Sequence, residues 1–188
     1  GKRAAVLGPG IGVGQWNHRL ALAVALHAPV PLVIDADGLN ALATHGVAAL
    51  TAAANARVLT PHPKEASRLL GVEVAEVQAD RFAAARALAE RSGHVVVLKG
   101  AGTVIAEPHG RLAVCSRGTP ALGVGGTGDV LAGAIGALLC DLPAFEAAYA
   151  GVYLHAVAGE LAAASDRGLF ASEVADALPR ALEAVRAS

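Results

Sequence analysis

Short apolar runs alternate with longer helix-periodic segments along this chain, and that alternation predicts an α/β protein. Residues 4–7, 31–34, 57–60 and 95–98 are brief runs centred on Val, Leu and Ile, the pattern of strands buried on both faces of a parallel sheet. Four helical segments lie between these runs. The first is capped by Asn17 and carries Leu20, Val24 and Leu26 ahead of Pro29, and the second covers 42–54 with a break near Gly46. The third opens at Pro63 and stops at Gly71; the fourth, over 75–91, places Val77, Phe82, Ala85 and Leu88 on one face. Residues 103–106 and 112–114 flank Pro108, His109 and Gly110, a hairpin signal that adds an antiparallel edge. Three helices follow: 127–139, apolar or small on almost every side; 145–164, with His155 inside as a core or surface histidine; and 171–187, restarted at Pro179.

Composition narrows this picture. With 188 residues, 54% hydrophobic and 16% charged, the chain is globular and long enough for one domain with a sizeable core. A net charge of −1 with scattered Lys and Arg leaves no basic stripe, which argues against nucleic acid or an anionic membrane as partner. Every long apolar run carries Gly, His or a charge within about 18 residues, so no transmembrane span is expected. Cys115 and Cys140 form neither a CxxC pair nor part of a His cluster and read as reduced thiols of a cytoplasmic protein. The chain lacks Met and enters an apolar run directly after Gly1, Lys2 and Arg3, which suggests a fragment of a longer product.

The polar residues with chemical potential sit at the ends of the predicted strands, where open α/β sheets bind ligands. Gly8, Pro9, Gly10, Ile11 and Gly12 follow the first strand; Pro9 interrupts any dinucleotide fingerprint. Asp35, Asp37 and Asn40 follow the second, where the acids serve either loop turns or a ligand. His62 and Glu65 bracket Pro63 and Lys64 after the third strand, and cap the helix there or face a substrate. After the fourth come Lys99, Gly100, Ala101, Gly102 and Thr103, which suit a nucleotide: an ammonium for phosphate charge, a hydroxyl, and open backbone for close approach. Gly125, Gly126, Thr127, Gly128 and Asp129 then open an apolar helix. Free N–H groups and the helix dipole make that start an anion site, and Asp129 is either a plain first-turn acid or a base facing the reacting group.

These five motifs, in this order, resemble the ADP-dependent NAD(P)H-hydrate dehydratases of the ribokinase-like superfamily, and the likeness covers about Arg3 to Arg186. The resemblance implies a three-layer αβα sandwich with a mainly parallel central sheet. It implies dehydration of hydrated NADH or NADPH (NADHX, NADPHX), by phosphorylation of the ring hydroxyl and elimination of phosphate, with ADP or ATP as co-substrate and Mg2+. Asp129 matches the general base, and the N–H groups of Gly126, Thr127 and Gly128 match the anion hole. Lys99, Gly100, Ala101, Gly102, Thr103 and Gly128 match nucleotide-binding positions; Gly10, Gly12, His62 and Asp129 match substrate positions, with Asn40 and Glu65 beside them. Cys115 and Thr119 stand where the family often carries Asn. Residues 1–188 are thereby read as one catalytic domain lacking a first strand-helix region. A fused or separate NAD(P)HX epimerase is the implied partner, and the Ala-rich apolar helices suggest a homo-oligomer. A small-alcohol kinase of the same fold and a catalytically silent nucleotide-binding module stay open as alternatives.

Overall fold

The computed structural model describes residues 1–12, 14–108 and 110–187. Strands β1 (Ala5–Leu7), β2 (Leu32–Ile34), β3 (Arg57–Leu59), β4 (Val95–Leu98), β5 (Thr103–Ala106) and β6 (Leu112–Cys115) stand side by side in that order in one sheet. The first four are parallel, with Leu7 beside Ile34 and Leu59 beside Val96, and β4, β5 and β6 are antiparallel. All six expected strands are present to within a residue or two, and the antiparallel edge is where the hairpin signal put it. His109 of that turn, like Val13 of the first Gly-rich turn, lies outside the described residues.

Both faces of the sheet are covered, which is why its strands read as continuous apolar runs. Helices α1 (Gln15–His27), α2 (Ala36–His45), α3 (Pro63–Leu70), α4 (Val74–Ala79) and α5 (Arg81–Ser92) lie in the crossovers of the parallel strands. They enclose one core with Leu32, Ile34, Leu59, Val96 and Leu98. On the other face α6 (Thr127–Leu138) and α7 (Ala144–Ala162) pack on Val33, Val58, Val97 and Ile105, and α8 (Ala171–Arg186) packs outside α7 through Val174, Ala177 and Ala181. The result is the expected three-layer αβα sandwich with a mainly parallel sheet. Small residues let α6 and α7 approach closely: a Cβ on Gly151 would fall 2.6 Å from Ile135 Cγ1 and 3.2 Å from its Cα.

Several helix boundaries differ from the sequence expectation, each for a local reason. Asp35 to Asn40 is not a loop: α2 begins at Ala36, and a 3-10 turn over Val47–Ala52 replaces the rest of the helix expected at 42–54. Asn17 lies inside α1, not at its start, because its amide donates to Ile11 O at 2.7 Å and ties down the preceding turn. The buried residues of α1 are Ala21 and Ala25, while Leu20 is exposed. Asp80 divides the helix expected at 75–91 by accepting from Ala83 N at 2.8 Å, and Phe82 consequently faces solvent. Helix α8 runs through Pro179 without a restart.

One charged residue is fully enclosed. Arg57 opens β3, and its guanidinium donates to the carbonyls of Ala25, Ala28, Val30, Asn55 and Ala56 at 2.7–3.2 Å. These carbonyls belong to the end of α1 and the segments entering β2 and β3; Ala56 O also accepts from Leu32 N at 3.0 Å and Ala28 O from Asn55 Nδ2 at 3.5 Å, while the guanidinium is the donor to Ala25, Val30 and Asn55. Burial lowers the Arg57 pKa from its ordinary value. Replacing Arg57 with Met should lower stability by about 3 kcal/mol, because it strands several buried carbonyls at once. Urea denaturation checks this against Arg86→Met, whose single surface contact to Gly110 O at 3.5 Å should be worth less than about 0.5 kcal/mol. Equal midpoints for the two variants would contradict the assignment.

Candidate active site

The loops at the carboxyl ends of β1 to β4 meet the amino end of α6. At the end of β1, Gly8 passes so close to Asp35 that a Cβ would fall 1.7 Å from Asp35 O, at a backbone φ of +130. Gly38, inside α2, packs in turn against Leu7 O and Gly8 Cα. Ala36 between them is the non-glycine residue with positive φ among the described residues (φ 47), a strained start that brings both acids to the sheet end. Asp37 accepts from Gly12 N at 2.8 Å and fixes the Gly-rich turn. Asn40 donates to Asp37 Oδ1 at 3.4 Å and accepts from Arg68 at 2.9 Å, so its amide bridges α2 and α3. Gly10 is exposed with no atom near its Cβ position.

After β3, His62 and Glu65 form a reciprocal cap. His62 Nδ1 accepts from the N–H groups of Lys64 and Glu65 at 3.1 and 3.4 Å, and Glu65 Oε2 accepts from His62 N at 2.7 Å. Pro63 at the first helical position completes the start. The capping reading is therefore true of both residues, yet both also face the site: His62 Nε2 lies 3.5 Å from Glu65 Oε1, and Glu65 Oε2 lies 3.9 Å from Lys99 Nζ. Burial, reinforced by Lys99 and Arg68, pushes the His62 pKa down. Burial pushes the Glu65 carboxyl up, against the opposing pull of Lys99 and the His62 N–H.

Lys99 is the junction. Its ammonium is 2.7 Å from Oδ1 of Asp35, which is 1% exposed, so the lysine expected to meet phosphate already has a buried carboxylate partner. Above this pair lies the first turn of α6: a Cβ on Gly128 would come 3.3 Å from Lys99 Nζ and 3.7 Å from Asp35 Oδ2. Asp35, flagged in the sequence only as an undecided acid, is thus a structural centre of the site. Beyond Lys99, Thr103 Oγ1 donates to Gly100 O at 2.9 Å and closes the turn of Gly100, Ala101 and Gly102 into β5.

The expected anion cradle is the amino end of α6. Gly126 takes φ 90, and the N–H groups of Gly126, Thr127 and Gly128 have no partner among the described residues. The Thr127 hydroxyl lies 2.8 Å from Leu122 O and 2.9 Å from Val124 O, holding the loop in place. Asp129 follows with an exposed side chain that has no partner among the described residues, while its N–H bonds Gly126 O.

A cleft of about 470 Å³ opens on one side of this turn, lined by residues 99–103, residues 115–120 and Thr127, Gly128 and His155. The expected nucleotide residues therefore line one cavity together, and Cys115, the sheet partner of Thr103, and Thr119 belong to the same lining. Gly10, Gly12, Asn40, His62, Glu65 and Asp129 are outside it; Lys99 and Gly128 form the partition between the two groups. His155 is the residue that sequence reasoning missed. Its Nε2 lies 2.9 Å from Thr127 O and so carries the proton, and burial lowers its pKa to about 4. A lone histidine in an Ala-rich helix gives no signal of this role.

Three comparisons bear on the site. Residues 2–180 match a family described as NAD(P)H-hydrate dehydratase. An ADP-dependent (S)-NAD(P)H-hydrate dehydratase from Neisseria meningitidis serogroup B is 44% identical over 178 residues, 92% of this chain and 60% of that protein. A bifunctional NAD(P)H-hydrate repair enzyme from Coxiella burnetii is 43% identical over 172 residues, 90% of this chain and 34% of that protein. Among solved structures, the ADP/ATP-dependent NAD(P)H-hydrate dehydratase from Bacillus subtilis, co-crystallized with ATP/Mg2+ and soaked with CoA, matches with a TM-score of 0.86 and 37% identity over 97% of this chain and 66% of that one. The chain spans less than two thirds of the length of each of these proteins.

His155 makes stability depend on pH. Its pKa is near 6.5 when unfolded and about 4 in the fold, so between these values the unfolded state binds more protons and stability falls as pH falls. The loss from this group between pH 7 and pH 4 should be about 3 kcal/mol. His155→Gln, whose amide can still donate to Thr127 O, should flatten the acid limb of stability against pH in urea titrations; an unchanged limb would show that His155 protonates freely.

Proposed function

The chain belongs to the NAD(P)H-hydrate dehydratase family, and we propose that it carries out ADP-dependent dehydration of hydrated NADH or NADPH, a nicotinamide nucleotide repair reaction, with ATP as the alternative nucleotide. The observation that carries this reading is the position of Gly128. It walls the cleft above Lys99, supplies the last N–H of the cradle and directly precedes Asp129. The names of the Neisseria and Bacillus relatives support the nucleotide and substrate class.

In this reading the adenine nucleotide occupies the cleft with its phosphates between the 99–103 turn and the cradle. The hydrated dinucleotide lies on the far side of Gly128, against Gly10, Gly12 and His62, with Glu65 and Asn40 supporting that surface. Asp129, exposed and without a partner among the described residues, takes the proton of the ring hydroxyl as that oxygen attacks the terminal phosphorus and the nucleotide, shorter by one phosphate, leaves on its bridging oxygen. The N–H groups of Gly126, Thr127 and Gly128 hold the negative charge that develops on the transferring group; the ring C–O bond then breaks with phosphate leaving, and a proton lost to solvent from the adjacent ring carbon supplies the electron pair of the restored double bond. His62, its pKa lowered, meets the substrate as a neutral imidazole that holds its helix cap through Nδ1.

Among the described residues no group of three or more His, Cys, Asp or Glu side chains could hold a metal ion. The ATP/Mg2+ in the name of the Bacillus relative supports Mg2+ that would arrive with the nucleotide. When bound it neutralises phosphate charge; Asp129 and the three N–H groups perform the steps assigned above. The bifunctional name of the Coxiella relative supports a second repair activity, an NAD(P)HX epimerase, fused or separate. Among the described residues no helix is long and apolar enough to cross a membrane. A cytoplasmic site of action belongs to the same proposal.

Incubation of the protein with hydrated NADH or NADPH, ADP and magnesium should restore the absorbance of the reduced nicotinamide. A folded protein that restores none would sink the proposal, and accumulation of a stable phosphorylated alcohol would make it a kinase. Asp129→Asn should retain ADP binding and lower turnover by about 100-fold or more. An unchanged rate would reduce Asp129 to a helix-end acid.

A further inference from the structure

Behind the 99–103 turn, on the side away from the cleft, lies a guanidinium that the proposed chemistry does not use. Arg81 opens α5, and its Nη2 donates to Leu98 O at 3.1 Å, Lys99 O at 3.3 Å and Gly102 O at 3.4 Å. Its Nη1 donates to Gln78 Oε1 at 3.1 Å. None of these partners is a carboxylate, so the positive charge under the turn is not cancelled by contact. We infer that Arg81 is a positioning residue for the nucleotide: it draws the carbonyls of the turn back from the cleft and so presents the Gly100 N–H to the phosphates. The inference rests on the nucleotide reading of the cleft.

Peptide geometry carries the argument. In a trans peptide the C=O and the following N–H point in opposite directions. With Lys99 O held on Arg81, the Gly100 N–H is turned to the opposite side; it has no partner among the described residues, and Gly100 lines the cleft. The neighbouring Lys99 N–H, by contrast, is already donated to Pro61 O at 2.8 Å. Without Arg81, three carbonyl oxygens gathered beside a phosphate site would have no counter-charge, and rotation of the 99–100 peptide would aim an oxygen at the ligand. Gly100 is matched to this arrangement. It has φ +142, and a Cβ there would meet Arg81 Nη1 at 3.0 Å and Nη2 at 3.1 Å. A planar fork suits several carbonyls at once in a way that a lysine ammonium, a compact point charge, does not.

Calorimetric titration with ADP, and separately with hydrated NADPH, tests this in wild type, Arg81→Met and Arg81→Lys. Arg81→Met should raise the ADP Kd about tenfold or more and Arg81→Lys by a smaller factor, with the Kd for the hydrated dinucleotide within about twofold of wild type. In turnover the KM for ADP should rise while kcat stays within about twofold. A residue that only supports the fold would lower Tm and leave the ADP Kd of the folded protein unchanged; that result overturns the inference. Should Arg81→Met not fold, Gln78→Ala, made at an exposed position, removes the Nη1 anchor and should still raise the ADP Kd severalfold; an unchanged Kd there is equally fatal. Failure of the wild type to bind ADP would overturn the nucleotide reading itself, and this inference with it.

Discussion

The buried ion pair between Lys99 and Asp35 constrains everything around it. A lysine and an aspartate brought together at 2.7 Å between the ends of β2 and β4 are expensive to desolvate, and Asp35 without Lys99 would be a stranded charge. The pair therefore fixes the residues that touch it. Gly8 must lack a side chain because the backbone at Asp35 leaves no room, Ala36 accepts a strained φ to turn the chain there, and Gly128 lets the first turn of α6 sit directly over the ammonium. A side chain at Gly128 would press on Lys99 and lift the cradle away from the sheet.

The second constraint is how deeply α6 is inserted. Its amino end reaches the site because its body is held close to the sheet and to α7 by contacts that tolerate no added atoms, at Gly136 against Val6 and at Gly151 against Ile135. His155 then grips the first turn through Thr127 O, and the Thr127 hydroxyl grips the loop before it. Packing over the whole helix is thus converted into placement of three N–H groups, the preorganisation an anion hole requires.

The strands were legible because burial on both faces writes itself as an uninterrupted apolar run, and the five loop motifs were legible because each pairs a strand end with an unusual set of polar residues. Helix starts were less so. Asp35 to Gly38 has the composition of a turn, and only the packing of Gly38 on Gly8 makes it the beginning of α2. Asp80 splits a segment of good helical periodicity because its side chain captures a backbone N–H, a competition that periodicity does not register. The least legible residues were two cations that serve backbone carbonyls. Arg57 and Arg81 look like ordinary surface arginines, since their partners are carbonyls contributed by distant segments and carry no sequence signature.

Charge accounting explains why the site leans on backbone groups. With Asp35 and Glu65 ionised, Lys99 positive and His62 neutral, the four side chains that meet beneath α6 carry one net negative charge, and Asp129 adds another. A phosphate cannot be drawn to that set by Lys99, whose charge is already matched at 2.7 Å. Attraction has to come from groups that Asp35 does not neutralise: the partial charge at the α6 amino end, its three free N–H groups, and the guanidinium behind the 99–103 turn. Burial pushes the Glu65 pKa upward, against the opposing pull of Lys99. In the proposed reading the lysine is a brace for the α6 amino end first, and would meet phosphate only to the extent that an arriving nucleotide competes with Asp35 for it.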